Sequence, residues 1–232
     1  MTGSRQLGTR AVRAGINRDP GHGGVVAPIS VSSAYRRADP GSAGTYDYAR
    51  TAAPGRDLLA EAIADLEGAR AAITVSSGMA AIDLLLNLVG PKARIVCAQD
   101  AYGGTRRLID ARAAQRNWQV DYIDCTDTAQ LKAALKKPAD LLFLETPSNP
   151  RLRVTDISTA CQLAKAAGAI SVVDNTVLSP ALQQPINLGA DLTVASVTKM
   201  LNGHSDMVGG VVCAVDQDHI DALKWWANAA GA

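Results

Sequence analysis

A chain of 232 residues is long enough to bury one sizeable α/β core with an appendage. Its 23 Lys and Arg against 22 Asp and Glu leave a net charge of +1 with no run of like charges, which argues against a nucleic-acid or membrane-surface partner and for a small molecule. Apolar residues make up 47% of the chain but include one Phe, so the core must be built mainly from Ala, Val, Leu and Ile.

The first ten residues, M-T-G-S-R-Q-L-G-T-R, lack the apolar stretch of a signal peptide, and no run approaches membrane-spanning length. Up to about Pro54 no helical or strand period is sustained, and Gly, Pro, Ser and Arg are frequent, as in an extended arm. From Arg56 the pattern is regular. Leu58, Leu59, Ala62, Ile63 and Leu66 fall at helical spacing, with Gly68 placed to end the helix. A strand follows at A-A-I-T-V, then a helix with Met79, Ile82, Leu86 and Val89 on one face. Strands at A-R-I-V-C, Q-V-D-Y-I, D-L-L-F-L-E, A-I-S-V-V-D and D-L-T-V-A-S then recur, most of them separated by helical stretches. One such helix is capped by Thr155 or Asp156, turns Ile157, Cys161 and Ala164 inward and has Gly168 behind it. The four cysteines, Cys97, Cys125, Cys161 and Cys213, form no C-x-x-C or Cys/His cluster and read as small hydrophobes of a reducing cytoplasm.

Apolar strands alternating with amphipathic helices imply a largely parallel sheet covered on both faces. Ligands then gather at the carboxyl ends of the strands. The residues there are Ser76-Ser77-Gly78, Asp100-Ala101-Tyr102, Glu145-Thr146-Pro147, Asp174-Asn175-Thr176 and Ser196-Val197-Thr198-Lys199. V-S-S-G-M-A-A places free backbone N–H groups at a helix start, which suits a phosphate and equally suits an ordinary cap. No G-x-G-x-x-G or G-x-x-x-x-G-K-[ST] occurs, so dinucleotides and P-loop nucleotides lose their usual support. Asp174 ends an apolar strand; it either caps the next turn or awaits a cation, because a buried charge is costly unless paired. Lys199 also follows an apolar strand, where a desolvated amine becomes nucleophilic and suits a Schiff base. A phosphate turn, a carboxylate and an amine together match the needs of pyridoxal phosphate.

The motifs D-A-Y-G-G-T, E-T-P-S-N-P, V-V-D-N-T and S-V-T-K-x-L-N-G-H-S-D resemble, in order and spacing, those of the Cys/Met-metabolism family of pyridoxal-phosphate enzymes. The resemblance runs from V-R-A-G near the N-terminus to the last residue. It implies a type I, aspartate aminotransferase-like large domain with a mostly parallel seven-stranded sheet and helices on both faces. Residues 56–232 would form that domain, residues 1–55 an arm touching a neighbouring subunit, and a C-terminal small domain would be absent. Lys199 would carry the cofactor and move protons, Asp174 would pair with its ring nitrogen and Tyr102 would stack on the ring. Gly78, Met79, Ser196 and Thr198 would hold the phosphate, with Thr176 also at the cofactor. Tyr48 and Arg50, in Y-A-R, would reach the same phosphate from a neighbouring copy, implying a homo-oligomer. Asn149, Arg107 and Asn228 would read the substrate, whereas His204 reads as a hydrogen-bonded loop residue.

The ending K-W-W-A-N-A-A-G is most similar to the γ-synthase branch, in which cysteine replaces the γ-acyl group of an O-acylhomoserine; lyases of the same family are the alternative. Three departures stand out: R-T-A-A-P-G in place of R-x-x-N-P-T, Met200 in place of a Tyr, and an end at Ala232 before the domain whose arginine binds the substrate carboxylate. Two other classes fit part of the pattern. S-V-T-K matches the S-x-x-K signature of serine acyl enzymes, without their K-T-G or S-D-N, and a subunit without turnover of its own would keep the same fold.

Overall fold

The computed structural model describes residues 6–19, 21–42 and 44–232. A short helix α1 (Leu7–Val12) stands where the sequence shows no period, and it buries none of its residues, so it has no apolar face for a period to reveal. Two isolated bridges, Ile16 with Val26 and Ala34 with Tyr48, are the only β pairing before Pro54 among the described residues. Val25, Val26, Ile29 and Val31 in this stretch are exposed.

Helix α2 (Pro54–Glu67) starts on a proline, whose missing N–H costs nothing at a first helical position. It ends at Gly68, whose φ of 74° is the left-handed value that a C-terminal glycine accepts without strain. The buried face is Ile63, Ala64 and Glu67, while Leu59 points outward, so the apolar stripe is rotated from the one expected. The next helix, α3 (Gly78–Leu85), is also shorter than its periodicity suggests. Leu86 and Val89 stay buried, but the chain tightens into a 3-10 turn at Leu86–Leu88 ahead of Gly90-Pro91, and the Asn87 side chain takes the carbonyls of Asp83 and Leu84.

Seven strands form one sheet: β1 (Ala71–Val75), β2 (Arg94–Ala98), β3 (Gln119–Ile123), β4 (Leu141–Glu145), β5 (Ile170–Asp174), β6 (Leu192–Ser196) and β7 (Gly210–Ala214). Their order is β1-β7-β6-β5-β4-β2-β3, and β7 alone runs antiparallel to its neighbours. A parallel return needs a crossover of a dozen residues or more, usually a helix. The segment 197–209 holds no helix, so β7 comes straight back beside β6. No helical pattern in the sequence sets this strand off from β6, so its run G-V-V-C-A carries no boundary signal of its own.

Side-chain alternation along the buried strands divides the core. Leu141 and Phe143 face one layer with Ile82 and Leu85 of α3, Ile109 of α4 (Gly103–Arg116), and Ile220 and Leu223 of α8 (Gln217–Ala230). Leu142 and Leu144 face the other, with Leu131 of α5 (Thr128–Ala134) and Ile157, Cys161 and Ala164 of α6 (Ile157–Ala166). Asp156 is the cap of α6, accepting the Thr159 N–H at 3.0 Å. All four cysteines are free and buried, and burial pushes the Cys97 and Cys213 thiols well up. No helix among the described residues is long and apolar enough to cross a membrane.

One buried polar network crosses from α2 to the strand ends. Glu67, 1% exposed, accepts from Asn175 Nδ2 at 2.9 Å through Oε1, and its Oε2 has no partner. Asn175 also donates to the Gln183 carbonyl, and Gln183 Nε2 bonds both Asn175 Oδ1 and the Thr146 carbonyl. Burial raises the Glu67 carboxyl from the usual 4.5 to about 7, against the opposing Asn175 hydrogen bond. A folded-state pKa above the unfolded one means the stabilisation is complete below 4.5 and is lost as pH rises through about 7. Glu67→Gln keeps the acceptor and cannot ionise. Thermal melts should show the variant more stable than the parent at pH 8, by up to ~3 kcal/mol, with the two converging near pH 4.5. Parallel pH profiles would show that the Glu67 pKa is the same in the folded and unfolded chain, and that burial does not raise it.

Candidate active site

The carboxyl ends of β1, β2, β4, β5 and β6 enclose a cavity of about 670 Å³. Its walls include Gly78, Met79, Tyr102, Asn149, Asp174, Thr176, Ser196, Thr198 and Lys199, so nine of the residues singled out in the sequence meet in one place. Glu145 lines it as well.

The turn after β1 is built by a cap and by two bare α-carbons. Ser77 Oγ accepts the Ala80 N–H at 3.1 Å, and its carbonyl accepts Ala81 N–H at 3.0 Å. The N–H groups of Gly78 and Met79 therefore have no acceptor within the helix, and both residues border the cavity. A Cβ on Gly78 would lie 2.8 Å from that of Ser196. A Cβ on Gly210, the first residue of β7, would lie 2.0 Å from the Ser77 carbonyl oxygen. Because β7 lies between β1 and β6, only a glycine there lets the turn fold over the strand end and meet Ser196.

Asp174, 8% exposed, accepts the Thr176 N–H at 3.0 Å through Oδ1. Burial pushes its carboxyl up against that bond, and among the described residues no Lys or Arg lies within ion-pair distance of it. Thr176 Oγ1 in turn accepts the Ser196 N–H at 2.9 Å, locking the ends of β5 and β6 together. The Ser196 hydroxyl has no partner among the described residues. That of Thr198 is already engaged, donating to the Gly209 carbonyl at 3.2 Å and accepting the Gly209 N–H at 3.0 Å.

Lys199 differs from the sequence expectation in one respect: it is exposed rather than desolvated. Strand β6 ends at Ser196, and the turn closed by Lys199 N–H on the Ser196 carbonyl, at 3.1 Å, carries the side chain out to the cavity mouth. Tyr102, also at the mouth, is 45% exposed. Its ring lies over Gly104 and beside Met79: a Cβ on Gly104 would sit 2.5 Å from the ring and 2.9 Å from the Met79 sulfur. The second Gly of D-A-Y-G-G-T is thus a seat for the tyrosine.

Four of the singled-out residues stand elsewhere. Arg107 is on the exposed side of α4 and does not line the cavity. Arg50, stacked 5.6 Å from the Tyr48 ring centroid, donates to Asn228 Oδ1 at 2.9 Å and to the Asn228 carbonyl. Thr51 Oγ1 joins the same Oδ1 at 3.1 Å. Arg50 and Asn228 border a separate cleft of about 790 Å³, together with Arg56, Lys224 and the exposed Trp225, which meets Trp226 edge-on. The arm is therefore pinned to α8 of its own chain. His204 is exposed in its loop, with Nδ1 2.6 Å from the Asn202 carbonyl.

Seven strands in this order, with a ligand cavity across their carboxyl ends and a lysine after β6, define the large domain of a pyridoxal-phosphate enzyme. The chain belongs to the family described as Cys/Met metabolism PLP-dependent enzyme, which matches residues 8–232. It is 46% identical over 229 residues to the cystathionine gamma-synthase of Escherichia coli (strain K12), covering 98% of this chain and 59% of that enzyme. It is 40% identical over 224 residues to a cystathionine beta-lyase of Lactococcus lactis subsp. cremoris (strain MG1363), covering 97% of this chain and 59% of that protein. Among solved structures, the cystathionine gamma synthase of Xanthomonas oryzae pv. oryzae, in complex with aminoacrylate and cysteine, superposes with a TM-score of 0.96 at 46% identity over 99% of this chain and 59% of that one. The chain spans about three-fifths of the length of these relatives.

Gly210→Ala tests the geometry of the turn. The methyl group meets backbone, which cannot rotate aside, so the variant should lose ~1–3 kcal/mol of stability in urea denaturation. An unchanged midpoint and slope would mean that the turn does not pack on β7 as described.

Proposed function

We propose that this chain forms the cofactor-holding part of a pyridoxal-phosphate enzyme that replaces the γ-acyl group of an O-acylhomoserine with the sulfur of cysteine. The observation that carries the cofactor reading is Asp174: a buried carboxylate with no Lys or Arg in ion-pair distance among the described residues, in the same cavity as Lys199 and a turn whose first N–H groups have no acceptor within the helix. A desolvated carboxylate of this kind favours a cationic partner. The protonated ring nitrogen of pyridoxal phosphate is one.

The donor set fits the group. Gly78 and Met79 N–H, at the positive end of α3, and the unpartnered Ser196 hydroxyl would hold the phosphate. Thr198 would join them by turning its hydroxyl from the Gly209 carbonyl. Asp174, oriented by the Thr176 N–H, would hold the ring nitrogen, and Tyr102 would cover one ring face. When bound, the cofactor supplies an electron sink for the substrate's α-carbon. Lys199, whose side chain is exposed at the mouth, would carry the cofactor through Nζ and then accept and return protons between substrate carbons. Asn149, also lining the cavity, would orient the substrate.

The rest of the reading concerns the whole enzyme. Residues 56–232 would be the large domain and residues 1–55 an arm. In a homo-oligomer, Tyr48 and Arg50 would leave Asn228 to reach a neighbouring copy's phosphate, while Arg107 and Asn228 would serve substrate recognition. In the whole enzyme, the part of the relatives' length that these residues do not span would supply the remaining contacts to the substrate carboxylate. The greater identity to a gamma-synthase, 46% against 40% for the beta-lyase, supports γ-replacement. A lyase reaction is the second reading, supported by a relative named cystathionine gamma-lyase of Micromonospora echinospora at 41% identity and a TM-score of 0.92.

Two experiments test this. Borohydride reduction of the chain incubated with pyridoxal phosphate, followed by peptide mapping, should label Lys199 alone; a label confined to other lysines would refute the assignment. Asp174→Asn should leave that label possible while weakening cofactor retention about tenfold or more, since a hydrogen bond to a charged group is lost. Equal retention in a dialysis series would remove Asp174 from the ring nitrogen.

A further inference from the structure

Glu145 ends β4 beside Asp174 in the sheet register, and it is 4% exposed. Placing two carboxylates side by side at buried strand ends is costly, and no Lys or Arg lies within ion-pair distance of Glu145 among the described residues. What it has instead is two backbone donors from different loops. Oε2 accepts the Tyr102 N–H at 2.6 Å and Oε1 accepts the Asn149 N–H at 2.8 Å. Burial, and then the Asp174 charge, raise its carboxyl to about 7, and these two bonds oppose them.

The two recipients share a difficulty. Tyr102 and Asn149 both present exposed side chains at the rim of the cavity, and the Tyr102 ring can rest on Gly104 and Met79 only if its backbone is held in place. Their positions follow from their backbones. A further cross-tie lies alongside: Ser148 Oγ donates to Asp100 Oδ2 at 2.6 Å, joining the loop after β4 to the end of β2. We infer that Glu145 is a positioning residue that binds the loop after β2 and the loop after β4 to each other, and so sets where Tyr102 and Asn149 stand over the cavity. Only a carboxylate serves, because both of its oxygens must accept. A glutamine keeps one acceptor and turns an N–H toward the other donor. An aspartate keeps the charge but is one methylene short of spanning the two loops. The consequence for cofactor and substrate rests on the function proposed above; the tie itself does not.

Hydrogen exchange on the cofactor-free chain tests the tie directly. In the parent, the Tyr102 and Asn149 amides should be protected despite their exposed side chains. In Glu145→Gln and in Glu145→Asp at least one of the two should exchange about tenfold faster or more, with the β4 and β5 amides unchanged. With pyridoxal phosphate added, both variants should still be labelled at Lys199 by borohydride but show reduced visible circular dichroism, as the Tyr102 ring loses its fixed seat. Fast exchange at both amides in the parent, unchanged exchange in the variants, or loosening spread across the sheet would overturn the inference. If one variant fails to fold, the other and the parent amides decide it. A parent that takes no label at Lys199 refutes the cofactor reading, and the exchange data still judge Glu145.

Discussion

The desolvated carboxylate of Asp174 is the constraint around which the site is arranged. It is carried to the sheet edge by Ile170, Val172 and Val173 of one strand, with the buried Ser171 among them, and among the described residues its hydrogen bonding comes from Thr176. Its neighbours are recruited to fix it rather than to neutralise it. Thr176 passes the order on to Ser196, while Asn175 is gripped from behind by Glu67 and Gln183. A rigid, unpaired charge of this kind is expensive to keep and is suited to a cationic ligand.

Around that charge, the cavity depends on positions where side chains are absent as much as on those where they are present. Gly210 lets the turn after β1 close over β7, Gly78 lets it approach Ser196, and Gly104 gives the Tyr102 ring a place to lie. The antiparallel insertion of β7 between β1 and β6 makes the first two necessary, since it brings three strand ends into one corner. Acidic residues then stitch the loops: Glu145 and Asp100 join the two rim segments to each other by hydrogen bonds.

The same chain shows two separate clusters of functional candidates. One surrounds Lys199; the other, with Arg50 and Asn228, is closed within the chain by direct hydrogen bonds between the arm and α8. Arm residues that serve a neighbouring copy would have to exchange those bonds for intermolecular ones. The exposed Val25, Val26, Ile29 and Val31 offer apolar surface for such an exchange.

Much of this was legible in the amino-acid sequence by itself. Apolar runs bounded by Gly and capping residues specify six of the strands and the class of fold, because burial on both faces of the interior strands leaves a one-dimensional signature, while the edge strand β3 shows in the alternation Q-V-D-Y-I. The positions of Asp174, Lys199 and the Ser77-Gly78 turn follow as well, since residues just past parallel strands converge on one edge. Tertiary structure alone decided what depends on neighbours distant in the chain. The direction of β7 follows from the lack of a crossover helix, and the exposure of Lys199 from the turn after Ser196. The Glu67–Asn175 and Glu145–Tyr102 bonds join residues far apart in sequence, and so does the Arg50–Asn228 contact. A hydrogen bond between such residues leaves no periodicity to read; it exists only once the packed strands have brought the partners within 3 Å.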